Sequence, residues 1–330
     1  MANAKISGIA SYVPEDILDN DMLSKMVDTN DEWITTRVGI KERRILKDPE
    51  KGSSFLGIKA VEKLIDETGV AKEEIDLLIC ATSNPDYRFP STASIISYNV
   101  GLTKAYAYDI QAACAGFLVT MQAARAYIES GLYKKIIVVC AEKMSSMTDY
   151  EDRATCPLFG DAAAAVLVEP TDEPLGVIDG EFHVDGSGLH NLLMKAGGSA
   201  LPASHETVDA REHYVYQEGR VVYKNAVRDM LYSSLSVMKR NKLAVEDVDW
   251  FVPHQANLRI IEAVGGRIKI PEEKTLVNIQ HYGNTSAASI PLCLDEYKNR
   301  LHKGDRILMT AFGAGFTWGA MYLIWAIDPK

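Results

Sequence analysis

The sequence predicts an α/β fold built from two similar halves that follow each other along the chain. Short apolar segments alternate with longer segments of helical periodicity, which is the pattern of buried strands flanked by helices. The order strand, loop, helix, strand also occurs twice, and so long a repeat indicates a duplicated domain, not a solenoid of short units. The corresponding segments are 75–84, 108–111 and 136–139 in the first half, and 248–257, 277–280 and 307–309 in the second.

The first half is predicted to hold five strands and four helices. Gly69 and Gly131 follow two of the helices, and glycine is a usual residue just beyond a helix C-terminus. The helix after Cys114 is apolar nearly all round, which predicts that it is buried between layers. The predicted strands are 5–11, 75–81, 105–110, 135–141 and 160–168, and the predicted helices are 30–37, 53–68, one beginning at Ser91, and 116–130.

The second half begins with residues 170–215, whose several Gly, Pro and His residues predict loops and short strands. Pro291 is unfavourable inside a helix, so the helix around it is predicted to be kinked or to start late. This helix and the one after Cys114 are expected to lie side by side between two sheets. The predicted helices are 219–240, 257–264 and 286–300, and the predicted strands are 249–252, 275–279, 305–311 and 316–327.

The composition limits the classes of function. The chain has 330 residues, 47% of them hydrophobic, which is enough for two domains or one large duplicated one. The net charge of −10 disfavours broad binding to nucleic acids or anionic membranes. No signal-peptide core and no membrane-spanning run is present in the sequence, so we expect a cytoplasmic protein. Five cysteines at irregular spacing predict a reducing compartment, with neither a disulfide framework nor a zinc site: Cys80, Cys114, Cys140, Cys156 and Cys293.

Cys114 lies at the predicted turn between a strand and the buried helix. Free backbone N–H groups and the positive end of the helix dipole favour a thiolate there, which predicts an unusually acidic thiol. The neighbouring residues Ala113, Ala115 and Gly116 are small and would let a substrate approach closely. A lone cysteine between alanines is more often a packed core residue, and this stretch alone favours that alternative.

His254 and Asn284 change that interpretation. Both follow predicted strands of the second half, and open α/β sheets place ligands in the loops beyond strand C-termini. Two similar halves would bring both residues to one cleft with Cys114. A cysteine thiolate can attack a thioester carbonyl, and N–H groups of a neutral His and an Asn can stabilise one developing oxyanion. The glycine-rich residues 312–315 add backbone donors. Taken alone, His254 fits a structural role as well as a catalytic one. Asn284 taken alone fits a turn or capping role better than a catalytic one.

Trp33 and Arg37 lie four residues apart in a predicted short helix, so they share one face. An aromatic plate beside a guanidinium suits an adenine ring and a phosphate. On this segment alone, a surface Trp–Arg stacking pair is the better explanation.

Together, these motifs resemble those of β-ketoacyl-acyl-carrier-protein synthase III, the initiating condensing enzyme of type II fatty acid synthesis. The resemblance covers essentially the whole chain. It implies a thiolase-like fold in five layers (α-β-α-β-α) and a homodimer, with the nucleophile in residues 1–172 and the His and Asn in residues 173–330. The matching segments are 28–37, 112–117, 159–161, 254–260, 283–289 and 311–318.

The resemblance implies a covalent acyltransferase. Cys114 would take an acyl group, expected to be acetyl, from acyl-CoA, with the backbone N–H groups of Cys114 and Ala314 as the oxyanion site. Malonyl-acyl carrier protein would then lose carbon dioxide beside His254 and Asn284, and its enolate would attack the acyl-enzyme. Elongating relatives carry a second His at the Asn284 position, so Asn284 favours the initiating type. The resemblance implies no metal or redox cofactor.

The resemblance also implies substrate contacts. Trp33 and Arg153 would enclose the coenzyme A adenine, Arg37 would meet its phosphates, and Asn257 and Ile260 would line the arm. Phe89 would shape the acyl pocket across a dimer interface. Three basic residues would dock the acidic carrier protein: Lys224, Arg259 and Arg267. Gly266 replaces a second basic residue of some relatives and predicts a weaker docking patch. Ala314 replaces a glycine but keeps the backbone donor.

Three alternatives remain open at this point. A related thiolase-fold enzyme that primes polyketide or similar synthesis would accept malonyl-CoA as well as the malonyl carrier. A hydrolase would release free acid without consuming malonyl groups, and a non-catalytic carrier-binding protein would not be acylated. The primer is also undetermined, because an apolar pocket separates acyl groups by only about 1–3 kcal/mol per methylene.

Overall fold

Two main sheets form the framework of the computed structural model, which describes residues 2–329. The strands are β1 (Asn3–Tyr12), β2 (Ile17–Asp19), β3 (Glu42–Arg44), β4 (Leu77–Ala81), β5 (Tyr106–Ile110), β6 (Ile136–Glu142), β7 (Ala162–Thr171), β8 (Gly176–Val184), β9 (Leu192–Met194), β10 (Val215–Gln217), β11 (Trp250–Pro253), β12 (Arg306–Gly313) and β13 (Thr317–Ile324). The α-helices are α1 (Asn20–Leu23), α2 (Asp31–Val38), α3 (Ser53–Thr68), α4 (Thr92–Val100), α5 (Gly116–Glu129), α6 (His205–Asp209), α7 (Gly219–Arg240), α8 (Leu258–Ile268), α9 (Ile279–Tyr282) and α10 (Ser289–Glu296).

The first main sheet has the strand order β1-β7-β6-β4-β5. Its strand β4 is parallel to both β5 and β6, whereas β7 is antiparallel to β6 and to β1. The carboxyl ends of β4, β5 and β6 therefore meet at one edge of the sheet, and β5 is an outer strand. The second main sheet has the order β11-β12-β13-β8, in which β11 and β12 are parallel. Two short hairpin-like sheets, β2–β3 and β9–β10, complete the strand pairing.

Five layers follow from the alternation of side chains along the strands. In β4, Leu77, Ile79 and Ala81 belong to a central cluster with α5 and α10, whereas Leu78 and Cys80 pack with α3 and α4. Strands β12 and β13 alternate in the same way between the central cluster and the outer helices α7 and α8. The order helix, sheet, helix, sheet, helix is the predicted thiolase-like architecture and is confirmed.

Most predicted elements are confirmed, and two helices, α3 and α7, have the predicted bounds. Gly69 ends α3 in the left-handed conformation that favours glycine, with φ at 69°. The predicted late start of the helix around Pro291 is also confirmed. Residues Ser286–Ala288 form a 3-10 turn, and Pro291 is the third residue of α10, where its missing N–H costs little.

The predicted strand at residues 275–279 is wrong. Thr275 makes a single parallel bridge to β11, and the chain then turns into α9. The Gln255 side chain takes the place of a strand partner: its Nε2 donates to the Leu276 carbonyl at 3.2 Å, and its Oε1 accepts the Asn278 N–H at 3.0 Å. Residues 275–279 therefore add no strand to the second sheet, whose fourth strand is β8.

The prediction of loops and short strands for residues 170–215 missed β8, a nine-residue strand at the edge of the second sheet. Its acidic residues Asp179 and Glu181 obscure the apolar pattern of a strand. Both carboxylates pair with Arg240 at the end of α7, which satisfies these charges at the partly exposed edge. None of the helices within residues 2–329 has the length and hydropathy needed to cross a membrane.

Candidate active site

Cys114 lies in the 3-10 turn Ala113–Ala115, between β5 and the first residue of α5. The turn is tightly packed, since a Cβ added to Gly313 would lie 2.7 Å from the Cys114 backbone nitrogen. A Cβ on Gly116 would lie 2.9 Å from the Ala287 Cβ. Ala113 and Ser286 have positive φ values of 45° and 51°, which non-glycine residues adopt mainly where the surrounding structure enforces them. The end of β12 and the turn that begins at Ser286 are therefore packed tightly against the turn that holds Cys114.

The prediction of an unusually acidic Cys114 thiol is wrong. Burial raises the pKa of Cys114 to about 12, although the Ser286 side chain and the backbone act to lower this pKa. Removal from water penalises the thiolate more than the helix N-terminus favours it. The thiol therefore needs a proton acceptor when it attacks.

We predict that iodoacetamide modifies Cys114 before the other four cysteines. Cys114 is partly exposed, whereas Cys80, Cys140, Cys156 and Cys293 are buried. If thiol acidity alone controlled the order of labelling, Cys156 would react before Cys114, because burial raises the pKa of Cys156 only to about 11. Peptide mapping after brief labelling at neutral pH separates the two effects. Alkylation of Cys156 first would contradict accessibility as the controlling factor.

His254 follows β11, and its backbone N–H donates to the Thr310 carbonyl at 2.8 Å. Its Nδ1 lies 2.7 Å from Ser289 Oγ, which also accepts the Gln255 N–H at 3.3 Å. Ser289 Oγ can donate its own proton to Nδ1, and in that arrangement the ring proton lies on Nε2. Burial lowers the pKa of His254 to about 3, so the ring is neutral. Its Nε2 has no hydrogen-bond partner within residues 2–329 and is free to donate to a ligand.

Asn284 is held by both its backbone and its side chain. Its N–H donates to the Leu158 carbonyl at 2.8 Å, and its own carbonyl accepts the Gly160 N–H at 3.1 Å. The side-chain Oδ1 accepts the Ser286 N–H at 2.8 Å. This bond fixes the orientation of the amide, so Nδ2 is presented as the donor.

The cavities bring the predicted residues together. Cys114, His254 and Asn284 line one narrow cavity of about 70 Å³, which Asn257 and Ile260 also line. Cys114, Asn284 and Ala314 line a second, wider cavity of about 720 Å³. Cys114 therefore borders both the wider cavity and the smaller one, which we call the narrow passage. This arrangement suits a nucleophile that receives a group through one opening and holds it in another.

Trp33, Arg37 and Arg153 are also brought together. The guanidinium carbon of Arg37 lies 5.9 Å from the centre of the Trp33 ring, and that of Arg153 lies 5.3 Å from it. Arg153 also pairs with Asp28 at 3.1 Å. An adenine ring between Trp33 and Arg153 would require Arg153 to move away from the indole. Asn257 has a structural role as well, because its Oδ1 caps α8 by accepting the Arg259 N–H at 2.9 Å.

Phe89 lines neither cavity of this chain, and its side chain is 86% exposed. The three predicted docking residues Lys224, Arg259 and Arg267 are exposed on α7 and α8. Arg259 lies over the ring of Tyr223, 5.8 Å from its centre, and Tyr223 itself lines the narrow cavity. Arg259 therefore lies beside a residue that lines the narrow cavity.

Comparison with known proteins places the chain in one family. A protein from Porphyromonas gingivalis named β-ketoacyl-[acyl-carrier-protein] synthase III is 56% identical over 326 residues, covering 99% of this chain and 97% of that protein. The chain belongs to the β-ketoacyl-[acyl-carrier-protein] synthase III family. The family model for 3-oxoacyl-[acyl-carrier-protein] synthase III matches residues 108–186, and the model for its C-terminal part matches residues 238–325.

Solved structures of synthase III proteins have the same fold. The Aquifex aeolicus enzyme is 42% identical, with a TM-score of 0.90, and the match covers 98% of this chain and 100% of that one. The priming β-ketosynthase of the R1128 polyketide pathway is 32% identical, with a TM-score of 0.91 and 100% and 98% coverage. The fold is therefore shared by enzymes of fatty acid and polyketide synthesis.

Sequence reasoning missed three residues of this synthase III site: Glu142, Ser286 and Ser289. The serines are hidden in a run of small residues that gives no indication of individual contacts. Glu142 gives a clearer signal, because it is the one acid of β6 and ends an otherwise apolar strand at the carboxyl edge of the sheet. Among residues 2–329, no cluster of His, Cys, Asp and Glu side chains suits a metal ion.

Proposed function

We propose that this chain initiates fatty acid biosynthesis as a β-ketoacyl-[acyl-carrier-protein] synthase III. It condenses an acyl-CoA, expected to be acetyl-CoA, with malonyl-acyl carrier protein and releases carbon dioxide. The observation that carries this proposal is one cavity lined by Cys114, His254 and Asn284, in which His254 Nε2 has no hydrogen-bond partner among residues 2–329. Family membership supports the same reaction.

In the first half-reaction, Cys114 attacks the thioester carbonyl of acyl-CoA. The backbone N–H groups of Cys114 and Ala314 stabilise the resulting oxyanion, since both residues line the wider cavity. Coenzyme A leaves as a thiolate through the narrow passage, and the acyl chain stays on Cys114. Trp33, Arg37 and Arg153 hold the nucleotide end, and Asn257 and Ile260 contact the pantetheine arm.

In the second half-reaction, malonyl-acyl carrier protein occupies the narrow passage. The Nε2–H of His254 and the Nδ2–H of Asn284 donate to its thioester oxygen, where negative charge develops as carbon dioxide leaves. A neutral histidine suits this task because it donates a hydrogen bond without protonating the enolate. The enolate carbon then attacks the acyl group on Cys114 and expels the thiolate. These steps use only groups of the chain and its substrates.

We propose a homodimer formed through the outer strand β5. Its backbone is unpaired on one side, and Tyr106 on the strand is 61% exposed. Tyr98 and Phe89 are exposed nearby in the chain, on and before α4. Exposed aromatic residues beside an open sheet edge are typical of an interface. Phe89 would then reach the acyl pocket of the partner.

Two further predictions keep their status as proposals. The division into halves at residues 1–172 and 173–330 is supported by the sheets, since the first uses residues 3–171 and the second uses 176–324. We also propose a cytoplasmic location. This proposal rests on the expected substrates, which are cytoplasmic metabolites of the pathway that we propose.

Carrier docking provides a testable consequence. Replacing Lys224, Arg259 or Arg267 with alanine should raise the KM for malonyl-acyl carrier protein up to about fivefold each, because an exposed ion pair contributes about 0.2–1 kcal/mol. The effect should shrink at high salt, and acyl-CoA kinetics should change less.

The matched control is Lys239→Ala. Lys239 is exposed on the same helix as Lys224, about 22 Å farther along at 1.5 Å per residue. Its removal lowers the charge equally and should leave the carrier KM unchanged. Equal, salt-independent losses for carrier and acyl-CoA substrates would assign the three basic residues to the fold or to the coenzyme A site.

A condensation assay tests the proposed function. Wild-type protein is incubated with acetyl-, propionyl- and branched acyl-CoA, each with malonyl-acyl carrier protein or with malonyl-CoA, and the products are separated by mass. We expect β-ketoacyl-acyl carrier protein with the malonyl carrier only. Equal use of malonyl-CoA would favour a priming enzyme of a secondary pathway. Free acid without malonyl consumption would indicate a hydrolase, and no turnover would indicate a carrier-binding protein.

A further inference from the structure

Glu142 is a fully buried acid at the end of β6. Side chains alternate along this strand, and Val138 and Cys140 belong to the central cluster that contains α5. Two residues farther on, Glu142 has the same orientation, toward the layer of α5, whose first residue follows the Cys114 turn. The carboxyl ends of β5 and β6 meet at one edge of the sheet, with β4 between them. The fold therefore directs a carboxylate toward the nucleophile from beneath.

Hydrogen bonds hold the Glu142 carboxylate in place. The Ser83 N–H donates to Oε1 at 3.1 Å and to Oε2 at 3.0 Å, and the Thr82 hydroxyl lies 3.3 Å from Oε2. The turn Ser286–Ala288 packs against β6 and against the turn that holds Cys114, and Ser286 and Cys114 line the same cavity. Ser286 therefore lies between the acid and the nucleophile.

The groups around Glu142 do not neutralise its charge. The titratable groups that interact with it are thiols: Cys80 from β4, Cys140 from β6 itself, and Cys114 from the turn before α5. The turn Ser286–Ala288 contributes a hydroxyl and a backbone N–H. Burial raises the pKa of Glu142 to about 7, so this carboxyl changes between its protonated and ionised forms near neutral pH.

The other candidate acceptor for the thiol proton is a much weaker base. Burial lowers the pKa of His254 to about 3, while it raises that of Cys114 to about 12. A proton from the thiol would therefore be held far less tightly by His254 than by Glu142. His254 is suited to donate a hydrogen bond, and Glu142 is suited to accept a proton.

We propose that Glu142 accepts the Cys114 proton through the Ser286 hydroxyl and returns it at the end of each catalytic cycle. This inference rests on the proposed function and adds a proton carrier to it. In the acylation step, the Cys114 S–H bond breaks as sulfur attacks the thioester carbonyl. The thiol proton moves to Ser286 Oγ, the serine proton moves to Glu142, and coenzyme A leaves as a thiolate, which solvent protonates.

The same proton is used again in the condensation step. The malonyl group loses carbon dioxide, its enolate carbon forms a bond to the acyl carbon, and the bond from that carbon to Cys114 breaks. The expelled thiolate takes a proton from Ser286, which takes the stored proton from Glu142. The thiol and the carboxylate are thereby restored, and the buried site exchanges no proton with solvent during the cycle.

The pH dependence of acyl-enzyme formation tests this role. In wild type, the rate should rise with pH and level off above about 7, because only the ionised carboxylate accepts a proton. Glu142→Gln keeps the size of the side chain but lacks that acceptor, and it should slow acylation about 100-fold or more and abolish this rise. Glu142→Asp should restore part of the rate and the pH dependence.

A second variant and an isotope experiment do not depend on the folding of Glu142→Gln. Ser286→Ala breaks the connection while leaving the partners of Glu142 from residues 82–83 intact, and it should slow acylation to a similar extent. In mixtures of light and heavy water, the wild-type acylation rate should fall along a curve as the deuterium fraction rises, because two protons move in the same step. A linear dependence, indicating a single proton, would contradict transfer through Ser286.

Asp161→Asn is the matched control. Asp161 is another fully buried acid that accepts backbone N–H and serine hydrogen bonds, from Leu46 and Ser145. Loss of the Asp161 carboxylate should affect stability without altering the pH dependence of acyl-enzyme formation. If wild type forms no acyl-enzyme, the proposed function fails. If wild type is acylated but folded Glu142→Gln keeps the wild-type rate and pH profile, the role of Glu142 as proton carrier is contradicted and the proposed function stands.

Discussion

Replacing Cys114 with alanine should abolish acyl-enzyme formation while malonyl decarboxylation continues. Acyl transfer needs the sulfur nucleophile, and no other cysteine of the chain is exposed enough to replace it. Decarboxylation needs donors for the enolate oxygen, and we propose that His254 and Asn284 provide them. Radiolabelled carbon dioxide release, measured beside trapping of labelled acyl enzyme, follows both reactions in one preparation.

The matched control for this variant is Cys156→Ala, which removes a buried cysteine elsewhere in the chain. It should retain acyl-enzyme formation. Labelled acyl groups on the Cys114→Ala protein would show that another residue is the nucleophile. Loss of carbon dioxide release together with acylation, in a folded protein, would mean that decarboxylation also depends on the thiol.

Replacing Asn284 with alanine should have the opposite effect. The Nδ2–H of Asn284 is expected to donate where charge develops during decarboxylation, and loss of one such donor typically costs about 2.7–4 kcal/mol, or 10²–10³ in rate. Labelled acyl groups should still accumulate on Cys114. If acyl transfer and carbon dioxide release fall equally in a folded protein, Asn284 is structural and the two-donor enolate site is wrong.

His254→Ala should resemble Asn284→Ala in decarboxylation, because both remove one donor to the same oxygen. Ser289→Ala should cause a smaller loss, since it removes the hydroxyl that assigns the ring proton of His254 to Nε2. Because burial lowers the pKa of His254 to about 3, its protonation should not affect decarboxylation between about pH 5 and pH 8. A fall in carbon dioxide release as pH drops through about 6.5 that is absent in His254→Ala would contradict a permanently neutral ring.

The sequence was sufficient to bring Cys114 and His254 to one cavity because each follows an element with a strong local signal. Cys114 follows an apolar strand and precedes an apolar helix, and His254 follows a short buried strand that ends at Pro253. The duplication then placed these segments at one cleft. The layered architecture follows from the same alternation of apolar residues that predicted the strands.

Other features depend on contacts between distant residues and left little trace in the local pattern. The thiol pKa depends on burial beneath Gly313 and Ala287, which outweighs the helix N-terminus. The absence of the predicted strand at residues 275–279 depends on the Gln255 side chain, which replaces backbone pairing along residues 276–278. The direction of Glu142 depends on which face of β6 packs on the central layer. Local sequence does not contain this information, since it arises when the two sheets close on α5.

The central claim is that Cys114 carries the acyl group between two half-reactions, and stepwise intact-protein mass spectrometry tests it most directly. The wild-type protein is first incubated with acyl-CoA, and malonyl-acyl carrier protein is then added. We expect the mass to rise by one acyl group, absent in Cys114→Ser, and to return to that of the free protein as β-ketoacyl-acyl carrier protein forms. An unchanged mass in the first step, or an acyl group released as free acid before malonyl-acyl carrier protein is added, would contradict the account.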